Sequence, residues 1–142
     1  MPKNPFPFTL EAARAVMRAD HMCRELELEI AALGPEGAVC SMTVAPRHVA
    51  PNGFLHAGLL VLFADTTCGV ATAANLPPDT FFATLELKSN HISTVRQGKL
   101  CCTATPRHLG GSTQVWDAEV TEEKTGKGVA LFRCTQMLLK DG

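Results

Sequence analysis

The feature that most constrains the fold of this chain is the run of residues 55–74, where almost every side chain is apolar or small. A helix that is apolar around its whole circumference is buried on all sides in a globular core. The run contains His56 at its start and Asp65 near its middle. A carboxylate in such a helix is costly unless it is paired, hydrogen-bonded or placed at a cleft. The sequence therefore predicts a buried central helix that carries one ionisable group of functional interest.

Length and charge place this helix in a protein core. A membrane span needs about 20 residues with few or no charges, whereas this run includes Asp65, and the rest of the chain has the pattern of amphipathic strands. The 142 residues fit a single domain, residues 1–142, with the proline-rich residues 1–8 as a loose N-terminal arm. The formal net charge of −1 gives no electrostatic argument for nucleic acid or a membrane as partner.

The cysteines favour a reduced, cytoplasmic protein. None of the six forms a C-x-x-C pair, and the adjacent Cys101 and Cys102 point to opposite faces of a predicted strand. Mostly buried free thiols are therefore the favoured interpretation, and a disulfide or a metal site is the minor alternative. No secretory signal is recognised at the start of the chain. We expect no metal and no cofactor.

The remaining pattern predicts a short helix and six strands. Thr9 is a suitable cap for an amphipathic helix that ends near Asp20. Alternating acids and aliphatics predict a strand at residues 25–30, and a Gly-Pro-Glu-Gly turn leads to its antiparallel partner at 38–44. Four strands follow the central helix, at residues 81–88, 99–105, 113–120 and 129–139, the last being long and apolar enough for a central strand. This order indicates an α+β fold in which a mainly antiparallel, curved sheet of about six strands wraps around one long helix.

His56 and Asp65 cannot act on one bond from the same helix, because nine residues separate them. At ~100° and ~1.5 Å per residue they lie on opposite sides of the helix and ~13 Å apart along its axis. If both serve one reaction, Asp65 must meet the His56 end of a neighbouring helix. A two-fold dimer with antiparallel helices would provide this arrangement twice, and the open side of the predicted sheet favours pairing with a second copy.

The start of the helix offers the other half of such a site. The backbone N–H groups of Ala57 and Gly58 lack intrahelical partners, and Gly53 and Gly58 permit a close approach. With the helix dipole, these donors suit an oxygen that becomes anionic during acyl transfer, and Asn52 adds a side-chain amide. Asp65 would then activate water as a general base or attack the carbonyl itself. Hydroxyl groups that would orient water or the carboxylate are those of Thr66, Thr67 and Thr84.

Each of these residues also has a structural interpretation. Threonine hydroxyls or a loop backbone would hold Asp65, His56 would be a helix cap or a packing residue, and Asn52 with Gly53 is a common turn dipeptide. Several aromatic residues suit an aromatic or medium-chain pocket but equally suit plain core: Phe54, Phe63, Phe81, Phe82 and Trp116.

The segment Gly53-Phe54-Leu55-His56-Ala57-Gly58, followed by Leu62-Phe63-Ala64-Asp65-Thr66, resembles the G-x-x-H-G-G…A-D-T pattern of hotdog-fold acyl-CoA thioesterases. The likeness is to the PaaI-like branch, which is related to phenylacetate-degradation and 4-hydroxybenzoyl-CoA thioesterases, and it covers roughly residues 25–139. It implies hydrolysis of an acyl- or aryl-acyl-CoA to a free acid and CoA. It also implies a homodimer of hotdogs, usually paired again into a homotetramer, with active sites between subunits.

The resemblance also assigns roles to residues. It implies that Asp65, supplied by the partner subunit, is the catalytic carboxylate, that the Ala57 N–H is the oxyanion donor, and that His56 shapes its loop. Thr84 would help to place the water. Two positions depart from the pattern: Ala57 replaces a glycine and narrows the space over the thioester, while the family's usual asparagine position holds Ala50, which leaves the role of Asn52 open. Substrate contacts are expected from Gly58, Thr66, Phe54 and Phe82.

Two other functions compete with hydrolysis. The first is a non-catalytic acyl-CoA-binding protein on the same fold, which would gain nothing from an acid in an apolar helix. The second is a hydroxyacyl-thioester dehydratase, which needs an aspartate and a histidine converging on the substrate carbons. The motif does not supply that pairing, so thioester hydrolysis is the predicted activity.

Overall fold

Six antiparallel strands form a single curved sheet around a central helix in the computed structural model, which describes residues 5–140. The helices are α1 (Leu10–Arg18) and α2 (Ala57–Ala73). The strands are β1 (Glu29–Gly34), β2 (Gly37–Thr43), β3 (Thr80–His91), β4 (Lys99–Leu109), β5 (Thr113–Glu122) and β6 (Gly128–Lys140). Their order in the sheet is β1-β2-β4-β5-β6-β3. This arrangement confirms the predicted α+β hotdog fold, with α2 as the predicted central helix.

Helix α2 is buried because its apolar side chains face the concave side of the sheet. Phe63 and Cys68 have no solvent exposure, nor does Trp116, which faces the helix from β5. The buried hydroxyls of Thr67 and Thr72 donate to the carbonyls of Phe63 and Cys68 at 2.9 and 2.8 Å, so the helix backbone satisfies them. No helix among residues 5–140 is both long and apolar enough to cross a membrane.

The strand predicted at residues 25–30 is wrong in position. Met22–Leu26 form a short 3₁₀ helix, and β1 begins only at Glu29. Between them Glu27 has a φ of 48°, a left-handed conformation that breaks an extended chain. The alternation of acids and aliphatics therefore spans a turn and the start of a strand. The Gly34–Gly37 turn and the antiparallel pairing of β1 with β2 are as predicted.

Helix α1 starts where its cap was predicted. The Thr9 hydroxyl accepts the Ala12 N–H at 3.1 Å, and Arg14 donates twice to the Ile30 carbonyl, at 2.8 and 3.2 Å, which ties α1 to β1. Phe8 packs against the core, so it is not part of a loose arm. Residues 1–4 of the predicted arm lie outside the described residues.

Strand β3 lies at one edge of the sheet and contains a bulge. Thr84 pairs with Gln136 of β6 and Glu86 pairs with Thr135, so Leu85 is an extra residue. Because paired residues share a face, the bulge places both Thr84 and Leu87 on the helix side of the sheet. Strand β6 is internal, between β5 and β3, whereas β4 and β5 occupy the centre.

Candidate active site

Asp65 lies partly buried at the middle of α2 and has one side-chain hydrogen-bond partner among the described residues. The Thr84 hydroxyl donates to Asp65 Oδ1 at 3.0 Å. Burial raises the pKa of the Asp65 carboxyl above its ordinary value, and the bond from Thr84 opposes this effect. The adjacent threonines do not hold the carboxylate, since Thr67 bonds to its own helix and the Thr66 hydroxyl lies 3.4 Å from Cys23 Sγ.

A cavity of about 240 Å³ opens beside this carboxylate. Its walls come from the segment before α1, from α1, from α2 and from β3, and they are mainly apolar: Phe8, Val16, Met17, Val70 and Phe82. Thr66 also lines it. The site therefore has one carboxylate at the wall of a mainly apolar chamber, which is the arrangement expected where an apolar group must be held next to a reacting carbonyl.

Gln136 is a part of this site that sequence reasoning missed. Its side chain is fully buried, and its Oε1 lies 3.1 Å from the Thr84 hydroxyl oxygen. Its Nε2 lies 3.4 Å from Cys134 Sγ. A glutamine on the buried face of a largely apolar strand is a signal in the sequence, because a buried amide needs hydrogen-bond partners. The partner itself, 52 residues away, is set by the pairing of β3 with β6.

The start of α2 leaves one backbone N–H free. His56 is the N-cap, and its Nδ1 accepts the Gly58 N–H at 2.9 Å. A Cβ at position 58 would lie 3.0 Å from the imidazole, so glycine leaves room for this ring. The expectation that both Ala57 and Gly58 offer free donors is therefore wrong for Gly58. Ala57 is an exposed residue, and its N–H forms no hydrogen bond within residues 5–140.

A hollow of about 310 Å³ lies beside Ala57, bounded by Phe54 and by His91 and Ile92 at the end of β3. Phe54 is 50% exposed there. Asn52 sits in the preceding turn, where its Oδ1 accepts the Phe54 N–H at 3.1 Å. This bond uses the Asn52 oxygen locally, so the side chain stabilises the turn that leads into α2.

The carboxylate of Asp65 and the N–H of Ala57, which are the two halves of the candidate site, lie far apart within one chain. Eight residues separate Ala57 from Asp65, which corresponds to about 12 Å along the helix axis. The cavity beside Asp65 and the hollow beside Ala57 have no lining residue in common. Phe63 and Trp116 are fully buried and line neither space, so these two aromatics are plain core. Among residues 5–140, no three histidine, cysteine or acidic side chains are grouped to hold a metal.

Comparisons with known proteins agree with this fold. Residues 52–129 match the model of the Thioesterase superfamily. The chain is 33% identical over 108 residues to a 1,4-dihydroxy-2-naphthoyl-CoA hydrolase of Listeria monocytogenes, covering 76% of this chain and 87% of the relative. It is 32% identical over 131 residues to the hydrolase of the same name in Escherichia coli, covering 92% and 95%.

A solved structure of a Haemophilus influenzae thioesterase superposes with a TM-score of 0.86 at 30% identity, covering 99% of this chain and 96% of the other. The sheet-wrapped helix is thus the fold of a class of hotdog-fold thioester hydrolases. The chain belongs to the Thioesterase superfamily. Its general activity is the hydrolysis of an acyl-CoA thioester, and the predicted family and enzyme class are confirmed.

Proposed function

We propose that the enzyme hydrolyses an acyl- or aryl-acyl-CoA with Asp65 of one subunit and the Ala57 N–H of its partner. The observation that carries the proposal is the position of Asp65: a carboxylate on an apolar helix, at the wall of a cavity, with one hydroxyl partner. A structural carboxylate at this depth would be expected to have more hydrogen bonds or a cation beside it. Its raised pKa also makes it a stronger base at neutral pH than an ordinary aspartate.

Strand β3 supports a site shared between two copies. Its outer edge has no neighbouring strand among the described residues, and it exposes the apolar side chains of Leu85 and Leu87. Unpaired, apolar edges of this length are normally covered. One half of β3 carries Thr84 beside Asp65, and the strand ends at His91, which lines the hollow beside Ala57. Antiparallel pairing of two β3 edges would place the Thr84 half of one subunit beside the His91 end of the partner's β3, and the two-fold symmetry would produce this arrangement twice.

In such a site the chemistry is that of acyl transfer to water. Asp65 removes a proton from a water molecule, whose oxygen attacks the thioester carbonyl carbon. The carbonyl oxygen becomes anionic and accepts the Ala57 N–H, aided by the positive end of the helix dipole. The tetrahedral intermediate then expels the CoA sulfur, which takes the proton from Asp65. In the alternative route Asp65 attacks directly, and water hydrolyses the resulting anhydride.

The acyl group of the substrate would occupy the cavity beside Asp65. Its apolar wall, which includes Phe82 and Met17, suits an aryl or medium-chain acyl group better than a charged one. Relatives named as hydrolases of an aromatic acyl-CoA support the aryl choice. Phenylacetate degradation, a dimer of dimers and a cytoplasmic location stay predictions.

The observations favour hydrolysis over the two alternatives. A dehydratase would need a histidine that converges with the acid on the substrate carbons, whereas the ring of His56 is engaged as the cap of α2, where its Nδ1 accepts the Gly58 N–H. A protein that only binds acyl-CoA has no use for a carboxylate whose ionised form burial disfavours.

Release of free thiol from a panel of acyl- and aryl-acyl-CoAs tests the proposal. Asp65→Asn should lower kcat by about 10²- to 10⁴-fold, the usual contribution of a general base, while acyl-CoA binding and the dimer persist. Asp117→Asn is the matched control, because Asp117 lies on the outer face of β5 and pairs with Arg133; its thiol release should equal that of the parent. Hydrolysis by Asp65→Asn at the parental rate would show that Asp65 is structural.

A further inference from the structure

The hydroxyl of Thr84 lies between two groups that both need its proton. Its oxygen is 3.0 Å from Asp65 Oδ1 and 3.1 Å from Gln136 Oε1. A hydroxyl carries one proton and can donate fully to only one acceptor. With Gln136 Oε1 turned towards Thr84, the ionised carboxylate of Asp65 competes with a neutral amide oxygen for that proton.

Turning the Gln136 amide about its last side-chain bond removes the conflict. The nitrogen and oxygen ends of the amide have nearly the same shape, so either fits the same space. Nε2 then donates to Thr84 Oγ1, and the Thr84 hydroxyl donates to Asp65. The Oε1 atom then faces Cys134, whose thiol donates to it. Each bond in this series has one donor and one acceptor, and each points towards the carboxylate.

We propose that Gln136 is the positioning residue of the reactive carboxylate: its side-chain nitrogen donates to Thr84 and thereby commits the Thr84 hydroxyl to Asp65. The inference rests on the proposed function of Asp65 in hydrolysis. Gln136 does not touch the substrate cavity. It acts through Thr84, with which it is paired in the β3–β6 ladder, and the bulge at Leu85 immediately follows that pair.

Within its own subunit, few other groups among residues 5–140 act on this carboxylate. Helix α1 contributes the apolar Val16 and Met17 to the cavity, and the preceding segment contributes Phe8. The titratable groups near it are two thiols, Cys23 on the 3₁₀ helix and Cys68 on α2 itself. No charged side chain of the described residues lines the cavity besides Asp65. The ionisation of Asp65 is therefore expected to report on its bond from Thr84.

The test is the pH dependence of kcat/KM in Gln136→Met, which keeps the side-chain length and removes the amide. Loss of the bond from Gln136 Nε2 to Thr84 should move the acidic limb of the kcat/KM profile to higher pH by roughly half a pH unit, equivalent to about 0.7 kcal/mol. Gln114→Met is the matched control: Gln114 is equally buried, pairs with Gln136 in the sheet, and bonds Asn75 and Trp116 instead. Its acidic limb should stay in place.

The sign of the shift distinguishes the two orientations. If Oε1 of Gln136 accepts from Thr84, Gln136→Met frees the hydroxyl for Asp65 and moves the limb to lower pH, which would overturn the proposal, as would an unmoved limb. In a Thr84→Val background, Gln136→Met should produce no additional shift, because its effect passes through Thr84. An additive shift would also refute it.

A measurement on the unaltered protein keeps the proposal testable if Gln136→Met does not fold. Nuclear Overhauser effects from the Gln136 side-chain NH₂ should reach the Thr84 side chain; effects reaching only the Cys134 Cβ protons would refute the orientation. The proposed function fails separately, since it requires that Asp65→Asn lose thiol release. If Asp65→Asn is inactive and the Gln136 variants show the parental pH profile, only the role of Gln136 is wrong.

Discussion

The substitution Ala57→Pro should leave the enzyme folded but almost inactive. Ala57 is the first residue of α2, a position where proline is favoured because its missing N–H is not used by the helix. The preceding residue, His56, has φ −64° and ψ 125°, the extended region that a following proline requires. Residue 57 is exposed within its own subunit, so the proline ring has room beside the rest of that chain. The change therefore removes one N–H and little else.

The expected magnitude follows from that single group. Removal of one oxyanion donor costs about 10²- to 10³-fold in kcat, or roughly 2.7–4 kcal/mol. A proline at a compatible position also stabilises a protein by about 0.4–1 kcal/mol through the unfolded chain. We expect thiol release to fall by this factor while the thermal midpoint stays level or rises. The control is Ala57→Gly, which retains the N–H and should retain activity. Parental kcat in a folded Ala57→Pro protein would refute the assignment of the donor.

Mixing two inactive variants then tests whether the site is shared. Asp65→Asn subunits supply an intact Ala57, and Ala57→Pro subunits supply an intact Asp65. After subunits are exchanged at equal amounts, half of the two-fold dimers are mixed, and each contains one complete site, so about a quarter of parental activity should return. Recovery of no activity, with exchange verified by mass spectrometry of differently tagged subunits, would place both groups in one chain.

Three further changes test the energetics. The pKa of Asp65 is raised in the folded state, so the protonated carboxyl stabilises the fold below the unfolded pKa near 3.9, and this stability is lost as pH rises through the folded pKa. Asp65→Asn should therefore raise the free energy of unfolding at pH 7 by about 0.5–2 kcal/mol in urea titrations, and this gain should vanish below about pH 4. The bond from Arg133 lowers the pKa of Asp117, so this ion pair stabilises the fold above the unfolded pKa of Asp117, and the stability is lost as pH falls through the folded pKa. Asp117→Asn should lower the free energy of unfolding by at most about 1 kcal/mol at pH 7 and should leave it unchanged in strong acid. His56→Ala removes the acceptor for the Gly58 N–H and should cost about 1 kcal/mol, measured as a lower thermal midpoint. An unchanged thermal midpoint in His56→Ala, or a lower free energy of unfolding in Asp65→Asn at pH 7, would contradict these assignments.

Local patterns were sufficient to predict α2 and its carboxylate. Apolar residues around the whole helix required burial, and Asp65 stood out because every neighbour was uncharged. Alternation also located most strands, although it misplaced β1, since the left-handed conformation at Glu27 leaves no mark in a pattern of acids and aliphatics.

Hydrogen-bond partners that are distant in sequence were harder to predict. Thr84 was named among the candidate hydroxyls, and the family resemblance added a role in placing the water. Gln136 was missed, because only the register of β3 against β6 brings it behind Thr84. The sequence offered a helix cap as one interpretation of His56 and a free Gly58 N–H as another, and it could not decide between them, since a free donor and a capped one have the same sequence. Contacts that depend on strand register or on one side-chain rotamer are determined by tertiary packing rather than by local pattern.

The extra residue in β3 determines which side chains the two halves of that strand present to the helix. Side chains alternate along a regular strand, so pairing β3 with β6 without the bulge, but with Leu85 retained, would reverse the facing of every residue on one side of Leu85. Either Thr84 would turn away from Asp65, or Leu87 and His91 would turn away from the helix. Deleting Leu85 would instead remove the bulge and keep both halves in place, because Thr84, Glu86 and Leu87 would then alternate as a regular strand opposite Gln136, Thr135 and Cys134.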